Sequence, residues 1–380
     1  MSSRSTKNLK VAIVADWLSG MGGSEKVVWR LHQLFPQAPI FTTLHDTQGA
    51  KDFNRADVRP SFLQKLPGAA KKHRFYIPLM PFAISRINLS GYELIISSSH
   101  TVGHGVNIGP GAVHVCYCHT PVRWAWAPEV DNLKNRLPLG PMADLAAGYF
   151  RWWTKKMSCS VTRFIANSDY TRERVKKAFG RDAAVVYPPI DTVRIPLQTK
   201  KDDYYLVSGR LVGYKRVDLA ISAFNKLGLP LKIVGTGPLR DKLAKQANRN
   251  IEFLGYVDSR KLYNLYGRAK ALIFPGLEDF GMVPVEAMAA GTPVIGYGKG
   301  GLLESVIENK TGLFFRRQTS QAIVGAVRSF DQRQFDPRII RHQARKFGIE
   351  VFQGRIIKAI EEALDTAKPR SWPERSDTVK

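Results

Sequence analysis

Two rhythms of apolar and polar residues alternate along this chain. The run KVAIVADWL from Lys10 is almost continuously apolar, as a strand buried on both faces must be. It passes through the polar turn SGMGGSE into SEKVVWRLHQLF, whose apolar residues recur at spacings of three and four, the period of a helix with one buried face. Further short apolar runs centre on Ile40, Ile95, Val115 and Ile165. A proline-rich, charged stretch over 185–203, VVYPPIDTVRIPLQTKKDD, then breaks the pattern as a linker does. The alternation resumes with DYYLVSGRL, the helix RVDLAISAFNKLG, LPLKIVGTGP, a helix from Leu239, IEFLGYV, a helix from Ser259, KALIFPG, a helix from Pro284 and TPVIGYG.

Strand alternating with helix predicts the α/β class and two Rossmann-like, doubly wound domains. We place an N-terminal Rossmann-like domain at 1–190 and a C-terminal one at 191–350. A C-terminal helix over 351–365 is expected to pack back on the first domain, and a disordered tail covers 366–380. Ligands bind at strand carboxyl ends in such folds, so the two domains are expected to face each other across a ligand cleft.

Charge alters this picture more than composition does. The 380 residues are 44% apolar, enough for two cores, but 57 Lys+Arg stand against 32 Asp+Glu, a formal net charge of +25. Both halves are basic. The excess is dispersed rather than gathered into a stripe or tail, which disfavours nucleic acid and favours an anionic membrane surface and phosphorylated ligands. Cys116, Cys118 and Cys159 form no C-x-x-C pair, so neither a disulfide framework nor a zinc site is expected, and a reducing compartment is. The apolar run at Val11 is too short for a signal peptide, and no stretch reaches the roughly 20 apolar residues of a membrane span. A cytoplasmic protein is expected, peripheral on the inner face of the plasma membrane.

The most specific chemistry lies in GLEDFGMVPVEAMAAGTPVI. Backbone N–H groups around Phe280, Gly281, Met282 and Val283 would sit at a helix N-terminus, where the partial positive charge attracts phosphate, and Gly281 permits close approach. Pro284 suits the first turn, and Glu286 is expected to project from that turn toward paired ribose hydroxyls. Glu278, on the preceding loop, would reach the sugar. Taken singly, a dipole-complementing Glu286 and a solvated Glu278 explain the same residues. In VSGRLVGYKRVDLAI, Arg210 ends a strand and Lys215 precedes a helix, so two cations stand on one loop and can stabilise a departing diphosphate without a metal.

The spacing of Arg210, Lys215, Glu278 and Glu286, with GTGP between, resembles the family 4 retaining glycosyltransferases of the GT-B fold, whose E-x7-E motif matches Glu278 and Glu286. The resemblance implies that Glu278 contacts the donor sugar, Glu286 the ribose, and Arg210 with Lys215 the diphosphate. ADWLSGMGGSEKV, LMPFAISRINLSGYELIISSSHTVGHGV and CYCHTPVRWAW are similar to bacterial O-antigen and exopolysaccharide mannosyltransferases of the WbaZ type, over about Lys10 to Leu364. One departure is Ala15, where that group commonly has histidine. The likeness places Gly22 and Gly23 nearest the donor phosphate and acceptor, and His119 near the donor sugar; with Arg210, Lys215 and Glu278, His119 completes the expected catalytic set. Arg123 and Trp124 are candidates for acceptor binding, with packing of the tryptophan as the alternative. Asn167 and Ser168 resemble a helix N-cap, with Glu173 completing it.

The implied reaction moves a hexose, mannose from GDP-mannose by resemblance, to a lipid-linked or oligosaccharide acceptor in surface polysaccharide synthesis. No Asp-x-Asp stands at a strand end, so no metal or cofactor is expected. The G-x-G-x-x-G fingerprint is absent, which disfavours a nicotinamide enzyme. The competing readings are a nucleotide-sugar hydrolase or epimerase of the same fold, a basic nucleic-acid-binding protein and a non-catalytic glycan-binding module.

Overall fold

A computed structural model describes residues 9–128 and 142–367. The first elements are β1 (Val11–Ala15), α1 (Gly23–Leu34), β2 (Ile40–Thr42), β3 (Val58–Pro60), α2 (Met80–Ser85), β4 (Asn88–Leu89), β5 (Leu94–Ser99), β6 (Asn107–Ile108) and β7 (Val113–Cys118). Then come α3 (Arg123–Trp126), α4 (Met142–Met157), β8 (Arg163–Ala166), α5 (Asp169–Phe179), β9 (Ala183–Val185), β10 (Tyr205–Ser208), α6 (Val217–Leu227), β11 (Leu231–Val234), α7 (Arg240–Ala244) and β12 (Ile251–Gly255). The last are α8 (Ser259–Arg268), β13 (Leu272–Phe274), α9 (Met282–Ala289), β14 (Val294–Tyr297), α10 (Leu302–Ser305), β15 (Gly312–Phe315), α11 (Ser320–Phe330), α12 (Pro337–Arg345) and α13 (Ile349–Thr366).

The described residues form two compact units, 9–117 with 153–165 and 355–367, and 118–128 with 142–152 and 166–354. One sheet is ordered β3-β2-β1-β5-β7-β8-β9, and a second is ordered β12-β11-β10-β13-β14-β15, with every register in the second parallel. This is the expected α/β plan. Helices cover both faces of the second sheet, which is why its central strands β13 and β14 are apolar and buried throughout, while Lys232 and Glu252 stand on β11 and β12 toward one edge. Along β10, Tyr205 and Val207 enter one core with Phe224 and Ile273, while Leu206 enters the other with Phe274 and Met288.

The predicted strands all form, and the helices shift at their ends. The helix expected from Pro284 starts at Met282, because a proline is tolerated anywhere in the first turn and does not mark its beginning. The expected C-terminal helix runs over Ile349–Thr366. The tail reading covers 366–380, which lies outside the described residues from 368 onward.

Asp16, the residue after β1, is buried in the first unit. Its carboxylate accepts backbone N–H groups of His100, Thr101, Val102 and Gly103 at 2.6, 3.0, 2.6 and 2.5 Å, all from the loop after the neighbouring strand β5. The His100 imidazole Nδ1 lies 2.7 Å from the same carboxylate. Burial opposes the charge of Asp16; His100 and these amides outweigh it and hold the carboxyl well below the ordinary aspartate range. Ala15, where the resembling group has histidine, ends β1 buried between Thr42 and Ser98.

Candidate functional site

The strand ends of the second sheet carry the residues singled out above. After β13 the chain turns through Gly281, the N-cap of α9, at φ 86°. A Cβ there would sit 3.3 Å from the Phe274 ring in a backbone region L side chains avoid, so this turn is reserved for glycine. Met282 and Val283 occupy the first two helical positions, whose N–H groups have no acceptor inside the helix. The Phe280 side chain points into the core, against Tyr187 and Phe347 at 5.3 and 5.4 Å between ring centroids.

Arg210 lies two residues past β10, exposed, and among the described residues its guanidinium has no ion-pair partner. Lys215 ends the turn before α6, and the two side chains line one small pocket with Gly209, Phe274 and Gly276. The structure pairs Lys215 with Glu278 directly. Burial works against the Lys215 ammonium, Glu278 outweighs it, and the group is held above the ordinary lysine range. The next residue, Arg216, takes a left-handed backbone, φ 50° and ψ 39°, which costs a side-chain-bearing residue on the order of 1 kcal/mol or more. A residue held in that conformation beside Lys215 fixes where the turn delivers the ammonium.

Glu286 departs from expectation in one respect. It is the fifth residue of α9, one place past the first turn, because the helix begins at Met282. It is only 8% exposed and accepts a hydrogen bond from the Tyr266 hydroxyl at 3.2 Å. That hydroxyl lies 3.1 Å from Ser208 Oγ at the end of β10. Burial first, and then Glu286, keep the Tyr266 phenol far above its ordinary range, so it stays a donor at any working pH. Both residues therefore position Glu286, and neither was singled out in the sequence.

A larger omission is Asp279. It follows Glu278, is 6% exposed, and pairs with both Arg123 and Arg174. Arg123 also lies over the Tyr214 ring at 4.5 Å. Arg174 donates to Thr120 Oγ1 at 2.6 Å, and Ser168 Oγ donates to the Asp279 carbonyl at 2.6 Å. Burial disfavours ionised Asp279, but the two guanidinium groups prevail and lower its pKa. Nothing local in GLEDFG separates this carboxylate from its neighbour; the partners are more than a hundred residues away in sequence.

Ser168 is the N-cap of α5, accepting from the Thr171 N–H at 2.9 Å, in keeping with the capping expectation. Glu173 cannot complete the cap, being two places past the position from which a side chain reaches back. That part of the reading is corrected: Glu304 does the work, its two oxygens accepting the N–H groups of Asp169 and Tyr170 at 2.8 and 3.0 Å. Ser168→Ala removes both the cap and the bond to Asp279, so a loss of about 1–2 kcal/mol is expected in urea unfolding.

His119 follows β7 directly, and its carbonyl is held by Asn167 Nδ2 at 3.0 Å. Trp124 is buried against Phe150 with ring centroids 4.8 Å apart. Arg123, Lys215, Glu278 and Asp279 thus share one charged cluster in the second unit. Gly22 and Gly23 are in the first unit, as the N-cap and first residue of α1, and a Cβ on Gly22 would lie 2.8 Å from Glu25 Oε2.

Two family models match successive segments of the chain. Residues 21–194 match the model described as Glycosyltransferase Family 4, and residues 191–347 the model described as Glycosyl transferases group 1. The chain carries glycosyltransferase domains of family 4 and group 1. A glycogen synthase of Mycobacterium tuberculosis is 33% identical over 191 residues, 46% of this chain and 45% of that protein. The GDP-mannose-dependent alpha-(1-6)-phosphatidylinositol monomannoside mannosyltransferase of the same species is 31% identical over 192 residues, 42% of this chain and 50% of that protein. The chain spans about half the length of the curated relatives it matches. Among solved structures, Anabaena HepE in complex with UDP superposes with a TM-score of 0.70 at 17% identity, over 93% of this chain and 100% of that one. The fold is therefore GT-B, two Rossmann-like domains with parallel sheets.

Proposed function

We propose that this chain is a retaining hexosyltransferase that moves mannose from GDP-mannose to a lipid-linked or oligosaccharide acceptor in surface polysaccharide synthesis. The observation that carries the reading is the Lys215–Glu278 pair, set on the ends of neighbouring strands beside unpaired Arg210 and the Gly281 turn. Arg210, Lys215 and the α9 N-terminus take the donor diphosphate, Lys215 turning to it from Glu278, which is then open to the sugar hydroxyls. Glu286 takes the ribose. The acceptor oxygen bonds to the anomeric carbon on the face the diphosphate leaves; the C–O electron pair departs with the diphosphate, and the acceptor proton passes to a departing phosphate oxygen. The two cations supply the charge that a metal supplies in other transferases, so turnover is expected to survive EDTA. The mannose donor draws support from the GDP-mannose-dependent relative, and a nucleoside-diphosphate donor from the UDP-bound Anabaena neighbour.

Membrane association is part of the proposal. In the first unit, Phe75 (76% exposed), Leu79 and Phe82 stand among exposed Lys71, Lys72, Arg74 and Arg86. Along α4, exposed Met142, Leu145, Tyr149 and Trp152 fall at spacings of three, four and three, and Lys155 and Lys156 follow them. Each Lys or Arg near an anionic leaflet adds about 1 kcal/mol of attraction. No described helix is long and apolar enough to cross a membrane.

Glu286→Ala is expected to weaken GDP-mannose binding by about 1.5–3 kcal/mol, the scale of hydrogen bonds to a charged group, in titration calorimetry. Unchanged affinity would remove Glu286 from the ribose. Turnover on a panel of nucleotide sugars with a polyprenyl-diphosphate saccharide tests the donor and acceptor directly.

A further inference from the structure

The helix α12 carries Arg338, Arg341, His342 and Arg345 at spacings that place all four on one face. With Leu197 of the linker they line an open concavity of about 500 Å³ in the second unit. Like charges at such spacing repel and weaken a helix, so three guanidinium groups on one face call for compensation. The protein supplies none: among the described residues, no carboxylate pairs with Arg338, Arg341, His342 or Arg345. Asp336, the nearest acidic residue in sequence, is occupied as the helix N-cap, accepting the Arg338 N–H at 2.7 Å. Asp191, nearby on the linker, pairs with Arg194.

Arg341 is the fixed member. Its guanidinium donates to the carbonyls of Ile195 at 2.9 Å, Ala289 at 3.2 Å and Thr192 at 3.4 Å, tying α12 to the linker and to the last residue of α9. Burial, and then repulsion by Arg345, hold Arg341 below the ordinary arginine range. Arg338, His342 and Arg345 are exposed around it, with no hydrogen bond holding their side chains elsewhere. A planar guanidinium locked by three carbonyls and flanked by free cations is an arrangement that receives an anion with several oxygens.

We propose that Arg338, Arg341, His342 and Arg345 form a second anion site, for a phosphate-bearing ligand, outside the pocket of Arg210 and Lys215. This goes beyond the proposed transfer reaction and does not depend on it. The chemistry recognised is a phosphate group, free or on a lipid headgroup. Occupancy also has a route to the candidate site, because Arg341 grips the carboxyl end of the helix whose amino end is Gly281.

The test uses the full chain and Arg338→Gln/Arg345→Gln, two exposed positions whose replacement leaves the Arg341 bonds in place. Inorganic pyrophosphate is titrated by calorimetry at constant ionic strength, on the background Arg210→Ala/Lys215→Ala so that only the second site is read. Vesicles containing phosphatidic acid, against neutral vesicles, form the second arm, read by co-sedimentation. Binding in either arm that weakens at least ten-fold in Arg338→Gln/Arg345→Gln, with an unchanged melting temperature in buffer alone, supports the site, and the arm that responds names the source of the phosphate. Arg338→Lys/Arg345→Lys is expected to recover part of the loss. Equal binding by parent and variant in both arms, or no binding in either, overturns the proposal.

Discussion

Lys215→Ala is expected to lower kcat by two to three orders of magnitude, the cost of removing one group that stabilises charge developing on a leaving group, about 2.7–4 kcal/mol. Steady-state release of nucleoside diphosphate measures it. A structural contribution is expected alongside, because Glu278 loses its partner at a site where both side chains are mostly covered. The double variant Lys215→Ala/Glu278→Gln, which keeps a hydrogen-bonding side chain for the sugar, separates the two. It removes the stranded carboxylate, so the melting temperature should recover toward that of the unmodified protein while turnover stays low. Turnover that returns together with stability would make Lys215 a structural residue.

Asp279→Ala should be the most destabilising single change in the second unit. It strands Arg123 and Arg174, whose side chains are 17% and 14% exposed, and unpairing a buried ion typically costs 3–5 kcal/mol. Against a total stability of about 5–15 kcal/mol, that is a loss urea unfolding resolves easily. The same cluster gives a pH dependence. The folded-state pKa of Asp279 lies below its unfolded value of about 3.9, so its stabilisation is complete above that value and disappears as pH falls below it toward the folded pKa. Between pH 7 and 5 the parent should lose nothing through this group, and below about pH 4 the gap between parent and Asp279→Ala should narrow. A gap that stays constant down to pH 2 would remove Asp279 from the acid response.

The fold was legible because a parallel sheet covered on both faces writes its strands as unbroken apolar runs: KALIFPG and TPVIGYG read as strands, and they are. The short pieces β4 and β6 and the late elements β15, α11 and α12 were not picked out, their apolar runs being too short or too mixed to stand apart. In the site, residues bound to a turn or a strand end were visible, since Gly281, Lys215 and Glu278 sit where their motifs put them. Asp279 and Tyr266 were not, because their work depends on partners brought near only by the finished fold. Glu173 shows the opposite error, in which a carboxylate at roughly capping distance in sequence was credited with a bond that Glu304 makes from 135 residues away.

That remote cap bears on the order in which the molecule can be assembled. A ribosome delivers the first turn of α5 long before it delivers Glu304, and the amides of Asp169 and Tyr170 must until then be satisfied by water. Arg123 and Arg174 wait in the same way for Asp279. A nascent chain, or a recombinant fragment that stops at the proline-rich linker, is therefore missing parts of its own earlier helices, and the most suitable place to divide the gene is not the most obvious gap in the sequence.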